Sequence, residues 1–276
     1  MKSPTTLALL LTAIEATMIA APTGTTRQAP ESEVHHHDSS NRTGLLGSGT
    51  GLAAQFRRSM TRRGQRFNGD GQVTDDEIRG YVVEPYRGVP YTKLVTRDGE
   101  PIFGNDLKDE QEQWQEFLDA REDPPEPDED TTVVFDKDLL EHYTAELVGI
   151  RDLRGRPAYV LDFQPKEGKL PTRRRVDHAL NKSLGQLWID RDTYEIARVT
   201  FELTERVRFW WGILGSVSDA HGQFERVPVA DNIWLASEFD VYFHVRALIS
   251  TSRRRETTVW SGFEQVAEDG DAVPDG

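Results

Sequence analysis

From Ile233 to Ala247 the chain alternates. Ile233, Leu235, Phe239, Val241, Phe243, Val245 and Ala247 are apolar, while Glu238, Asp240, His244 and Arg246 take positions between them. Successive side chains of an extended backbone point to opposite sides, so a period of two predicts a long strand with one dry and one wet face. Ser237 is the one polar residue in the odd series. Ala197, Val199, Phe201 and Leu203 repeat the pattern against Arg198, Thr200 and Glu202, as do Tyr159, Leu161 and Phe163 after the turn Arg154-Gly155-Arg156. Further strands are expected at Val89–Thr96, Glu146–Asp152, Gly185–Asp190, Gly222–Val229 and Thr257–Val266. Short turn signals join many of them, among them Arg97-Asp98-Gly99, Arg191-Asp192 and Ala230-Asp231-Asn232. Consecutive strands on tight turns build antiparallel meanders with one face packed and one solvated.

Helices enter as insertions. Leu107, Gln111, Trp114, Phe117 and Leu118 fall at helical spacing behind Asn105 or Asp106 as N-cap. The stretch Asp123–Asp130 (DPPEPDED) stops that helix with prolines and repelling carboxylates and reads as an exposed loop. Shorter helices are expected at Asp136–Tyr143 and Arg173–Asn181. No period of repeat length recurs, which excludes a solenoid or propeller.

Composition narrows the partners. A formal charge of -14 opposes nucleic acid, whose binding depends on clustered Lys and Arg releasing counterions. The absence of cysteine removes disulfides, thiolate metal sites, a cysteine nucleophile and a lipid-bearing Cys. At 276 residues the chain suits one sizeable core.

The first residues read as an export signal, with Lys2 as the charged start, Leu7 to Ile14 as the apolar run and Ala20-Ala21 near a cleavage point. Glu15 interrupts that run, which is too short to span a bilayer; no later segment supplies a span. The expected organisation is a signal peptide over 1–21, a disordered linker over 22–51, one β domain over 52–267 and a disordered tail over 268–276. The linker holds His35-His36-His37-Asp38, which reads as a solvated tract because a structural metal would need further tetrahedral ligands.

Asn68-Gly69-Asp70-Gly71-Gln72-Val73, ending in Glu77, falls in the register of a calcium-binding EF-hand loop, yet its first ligand position is Arg66. A cation there repels calcium, so the segment reads as a hairpin turn between Met60–Phe67 and Val73–Tyr86. The sequence has no G-x-S-x-G elbow, Walker lysine loop, G-x-G-x-x-G after a strand or H-E-x-x-H pair. Asp162, Asp190 and Glu202 read as wet-face charges, and His142, His178, His221 and His244 stand apart in sequence. No enzyme, cofactor or metal is expected, although a carboxylate pair set by spatial separation would leave no trace in spacing.

Three segments carry a family resemblance: Gly155-Arg156-Pro157-Ala158-Tyr159-Val160-Leu161-Asp162-Phe163-Gln164-Pro165-Lys166, Gly185-Gln186-Leu187-Trp188-Ile189-Asp190, and Asp231-Asn232-Ile233-Trp234-Leu235. With Gly88-Val89-Pro90-Tyr91 and Arg97-Asp98-Gly99-Glu100-Pro101 upstream, the chain from about Met60 to Val266 resembles the LolA-like proteins of outer-membrane lipoprotein sorting. The resemblance implies a mostly β (α+β) fold, a single curved antiparallel sheet or half-barrel partly closed by a few helices. It further implies a periplasmic, non-enzymatic carrier whose partners are lipid or lipoprotein acyl chains held in an apolar cavity. An envelope sensor binding another envelope protein, resembling the RseB N-terminal domain, stays open as the alternative. The acidic insertion and the missing lipobox Cys depart from a lipid-anchored receptor. Acyl binding needs only apolar area, about 0.8 kcal/mol per buried methylene. The candidate lining residues are Phe209, Trp210, Trp211, Ile213 and Leu214, an apolar run without alternation, with Phe239, Val241 and Phe243 of the long strand.

Overall fold

The computed structural model describes residues 55–122, 142–168, 170–172, 177–209, 215–247 and 250–266. Its strands are β1 (Phe56–Phe67), β2 (Val73–Tyr86), β3 (Val89–Arg97), β4 (Glu100–Pro101), β5 (Tyr143–Leu153), β6 (Arg156–Pro165), β7 (Ser183–Asp190), β8 (Ile196–Leu203), β9 (Val207–Phe209), β10 (Gly215–Ala230), β11 (Ile233–Ala247) and β12 (Ser250–Gln265). Among the described residues two helices join them, α1 (Asn105–Glu122) and α2 (Asp177–Leu180). All strands belong to one 12-stranded antiparallel sheet in the order β4-β3-β2-β1-β12-β11-β10-β8-β7-β6-β5, with β9 continuing beside β10 where β8 leaves it. The sheet is open, with β4 and β5 at its edges, and β12 closes the path by pairing both β1 and β11.

Register makes the two faces explicit. One cross-strand row runs Leu147, Leu161, Leu187, Val199, Phe224, Phe239 across six neighbouring strands, then continues as Thr258, Arg62 and Arg79. The row of the opposite face runs Glu146, Asp162, Gln186, Thr200, Gln223, Asp240, Thr257. Along these rows the sheet is therefore apolar on one side from β5 to β11, whereas further along β6 and β7 the opposite face carries a core of its own at Ala158, Val160 and Trp188. On the side of the apolar row Val217, Ala220, Phe224, Phe239, Val241, Phe243, Val245 and Trp260 form the main core cluster, with Met60, Phe201, Leu203 and Phe263 against it.

Beyond β12 the sheet is held by charge. Arg62 meets Glu256 at 3.1 Å, Arg66 meets Asp75 at 3.4 Å, and Arg63 grips Asp76. The hairpin at Asn68 is a side-chain turn: its Oδ1 accepts from the amides of Asp70 (3.0 Å) and Gln72 (2.9 Å), and Gly71 takes φ +80°. Glu77, which would be the bidentate calcium ligand, instead accepts two bonds from Arg79 and pairs with Arg97.

Helix α1 packs on β2 and β3 through a face turned from the expected one. Trp114 and Phe117 meet Tyr86 and Tyr91, with the Trp114 and Tyr91 rings 4.7 Å apart. Leu107 is exposed, and the buried position one turn before Trp114 is Glu110. Its carboxylate accepts from the Tyr91 hydroxyl at 2.5 Å and the Leu94 amide at 2.9 Å, so a carboxylate outside the expected stripe sits on the packed face. The helix expected at Asp136–Tyr143 lies largely outside the described residues, but Tyr143 itself opens β5. Of the helix expected at Arg173–Asn181, α2 is the described part. The acidic loop at 123–130, the linker histidines and the leader lie outside the described residues.

Candidate ligand-binding faces

Phe239, Val241 and Phe243 are each 2% exposed and sit within the main core cluster. Phe209 ends β9 opposite Gly215, while Trp210, Trp211, Ile213 and Leu214 lie outside the described residues. Of the first group only Phe209 is described, and its strand lies near the second group: β9 pairs Val207 with Val217, Val217 faces Val245, and Phe243 pairs with Ala220 close by on the same two strands. Away from β11 the apolar face becomes progressively more accessible. Leu161, Phe163, Leu187 and Phe201 are half-buried, and at the edge Leu147 is 58% exposed.

The opposite, polar face holds a broad depression of about 1120 Å³, lined among the described residues by Asp162, Gln186, Thr200, Gln223, Asp240 and Arg255 with their neighbours. Its floor is internally bonded. Gln186 donates to Asp162 at 2.9 Å, and Asp240 accepts two bonds of 2.8 Å from Arg255 and one of 2.7 Å from Thr257. Burial pushes the Asp240 carboxyl up, but the bonds from Arg255 and Thr257 outweigh it and hold the group below the ordinary carboxylate range. His221 stacks on Tyr242 at 5.0 Å with its ring nitrogen 3.4 Å from Asp219. Glu146 and Glu202, also on this rim, are exposed and have no cation partner among the described residues.

The segments that carry the family resemblance converge elsewhere. Arg156 donates to Asp190 through Nε (2.7 Å) and Nη2 (2.9 Å), and its guanidinium lies over the Trp234 ring at 5.7 Å. Ala158, Val160, Trp188 and Trp234 belong to a second core cluster around that fork. Arg156, Asp190 and Trp234 therefore build the fold, holding β6, β7 and β11 together, while from the same segments Asp162, Phe163, Gln164, Gly185 and Gln186 reach the depression. Asp190 is 1% exposed and also accepts from the Thr193 amide and hydroxyl, both at 2.9 Å.

The Arg156 bonds, with those from Thr193, bring the Asp190 carboxyl down to about 2 against the opposing effect of burial. A carboxyl depressed on folding contributes stability above its unfolded value, near 3.9, and loses it as pH falls from there through about 2. The contribution is at most about 2 kcal/mol, since solvent reaching Arg156 screens the pair. Asp190→Asn should therefore flatten the acid limb of the stability curve below pH 4, as read by urea unfolding across that range. Equal slopes in the variant and the parent would show that the pair does not set it.

Sequence reading missed two buried charges. Glu225, 2% exposed, is held on the polar face by Arg198 at 2.6 Å and by Arg154, and Arg198 in turn lies over Trp188 at 5.3 Å. Arg226, 6% exposed, donates to Glu195 at 2.9 Å and to the Trp234 carbonyl at 2.8 Å. Consecutive charges in a strand look like a solvated edge; only the pairing partners show that both are enclosed.

No protein-family model matches the chain, and no curated protein does. Among solved structures it is similar to a DUF1329 family protein from Desulfovibrio piger, at 13% identity over 80% of this chain and 92% of that one, with a TM-score of 0.28. It is also similar to a putative outer membrane lipoprotein-sorting protein domain from Vibrio parahaemolyticus, at 11% identity over 80% and 91% of the two chains, TM-score 0.29. A LolA superfamily protein from Nitrosomonas europaea matches at 11% identity over 77% and 86%, TM-score 0.27. Identities and TM-scores this low assign the chain to no family, and what it does has to be read from its own residues.

Proposed function

We propose that the chain is an exported, non-enzymatic carrier or binder of lipid or lipoprotein acyl chains, acting in outer-membrane lipoprotein sorting. The observation that supports this reading is the six-strand apolar row from Leu147 to Phe239, dry at β11 and open at β5. An acyl chain laid along that face next to the 209–214 segment would be held by apolar area, with Phe239, Val241 and Phe243 beneath it and Trp210 and Trp211 at the rim. No helix among the described residues is long and apolar enough to cross a membrane.

Native mass spectrometry of protein taken from the envelope fraction without harsh detergent tests both parts, since it reads loss of residues 1–21 and bound lipid together. Titration with fatty acids of rising length should show each methylene tightening binding by up to about fourfold until the face is covered, with little response to salt. Trp210→Ser and Trp211→Ser should weaken binding more than folding. Intact Met1 on cytoplasmic protein would refute export, and absence of acyl binding would refute the carrier.

A second reading, an interaction module for another envelope protein, is favoured by the depression on the polar face, where Glu146 and Glu202 have no cation partner among the described residues. A basic peptide segment fits that chemistry. Binding there would weaken steeply with salt and ignore acyl chain length, the opposite of the carrier's behaviour.

A further inference from the structure

The two edges of the sheet are unlike. β4 is two residues long, ends in Pro101 and runs into α1, which is how sheets blunt an edge. β5 is 11 residues long, contains no Pro or Lys, and among the described residues pairs only with β6. It also displays Leu147 (58% exposed), Val148 (43%) and Ile150 (53%). Glu146 and Arg151 are exposed as well and have no ion-pair partner among the described residues. An apolar edge with loose charges is the kind that proteins otherwise protect.

A bulge decides what fits it. Leu147 pairs with Leu161 but Gly149 with Val160, so Val148 is the extra residue and the alternation shifts phase there. Leu147 and Ile150, three apart, consequently lie on the same apolar face, opposite Leu161 and Tyr159. Glu146 and Arg151 lie together on the polar face, opposite Asp162 and Ala158. A second copy related by a two-fold axis perpendicular to the sheet keeps both faces in common. Setting Leu147 against Ile150 of that copy places Glu146 against its Arg151, and the symmetry repeats both pairs. Val148 then meets Gly149 of the second copy, which has no side chain to oppose it.

We propose that β5 is a self-association edge and that its occupant is β5 of a second copy, antiparallel over Thr144–Leu153. One isologous junction pairs Leu147 with Ile150 and Glu146 with Arg151, each twice, and leaves room for Val148. It would join the two apolar faces into one continuous surface, and it does not depend on what that surface binds.

Charge reversal tests it on the full chain by sedimentation velocity, from sub-micromolar to high micromolar protein. The parent should show a monomer–dimer equilibrium. Glu146→Arg sets Arg against Arg across the axis, and Arg151→Glu sets Glu against Glu, so each should weaken the dimer by about tenfold or more. The double variant exchanges the charges and should recover it. An equimolar mixture of the two single variants should also dimerise, because each then meets its opposite. A parent that stays monomeric throughout the range overturns the proposal. So does a dimer that both single reversals leave unchanged, or one that the charge exchange fails to restore.

Discussion

Gly185→Ala is expected to destabilise the protein by about 3 kcal/mol or more, or to prevent its folding. A Cβ at Gly185 would stand 1.8 Å from the Thr200 carbonyl oxygen, 2.7 Å from its carbon and 2.9 Å from the Phe201 Cα. All three are backbone atoms of the paired strand, so relief requires β7 and β8 to separate where Gly185 faces Phe201. Gly222, on the same cross-strand row, is similarly crowded: its Cβ would lie 2.3 Å from the Asp240 carbonyl oxygen and 3.1 Å from the Phe201 ring. Gly64, further along that row through Val241 and Glu256, has nothing within 4 Å. Gly64→Ala should therefore be neutral, or stabilising by roughly 0.5 kcal/mol through a less free unfolded chain. Urea unfolding of the two variants checks the contrast. A Gly185→Ala protein within about 0.5 kcal/mol of the parent would mean that the strands can part there at little cost.

Gly185 shows which part of the molecule was legible in the sequence. It opens a segment that carries the family resemblance, and its role is close approach of two strands, a property of pairing that local pattern does not reveal. β11 was readable as a strand because its alternation is strong, and from Phe239 to Val245 its odd residues do form the main core, whereas before Ser237 the core contacts pass to Trp234, Leu235 and Ala236 in turn. Even the exception makes sense: Ser237 is the bulge residue, skipped where Glu225 pairs with Glu238 and Arg226 with Ala236. β1 was only half readable. Its first residues, Phe56 to Ser59, precede the expected strand, and in Arg-rich FRRSMTRRGQRF cross-strand carboxylates from β2 and β12 join the core contacts of Phe56 and Met60 in holding it. The same blindness to partners placed the packed stripe of α1 on Leu107 and missed Glu110. The candidate ligand residues show the limit for function. Periodicity put Phe239, Val241 and Phe243 correctly on the apolar face, but whether an apolar residue closes a core or lines a site depends on what lies over it, which one strand's pattern does not encode.

Glu195→Gln should cost about 3 kcal/mol, the lower end for breaking a buried ion pair because the Glu195 side chain is 25% exposed. The cost falls on Arg226, whose side chain is 7% exposed and would be left as an uncompensated charge. Burial already depresses its guanidinium against the opposing pull of Glu195, and the Ile196 and Trp234 carbonyls at 3.4 and 2.8 Å supply dipoles but no countercharge. Arg226→Met in the Glu195→Gln background removes that charge and should restore part of the loss, since an apolar side chain of similar length suits a site beside Trp234. Recovery will not be complete. The two carbonyls lose their donor, at about 1 kcal/mol each if water does not reach them. A double-mutant cycle by chemical denaturation therefore predicts strong non-additivity, the double variant more stable than the Glu195→Gln single. If the two losses simply add, Arg226 is not stabilised by Glu195, and its place between β8 and β11 rests on the carbonyl contacts alone.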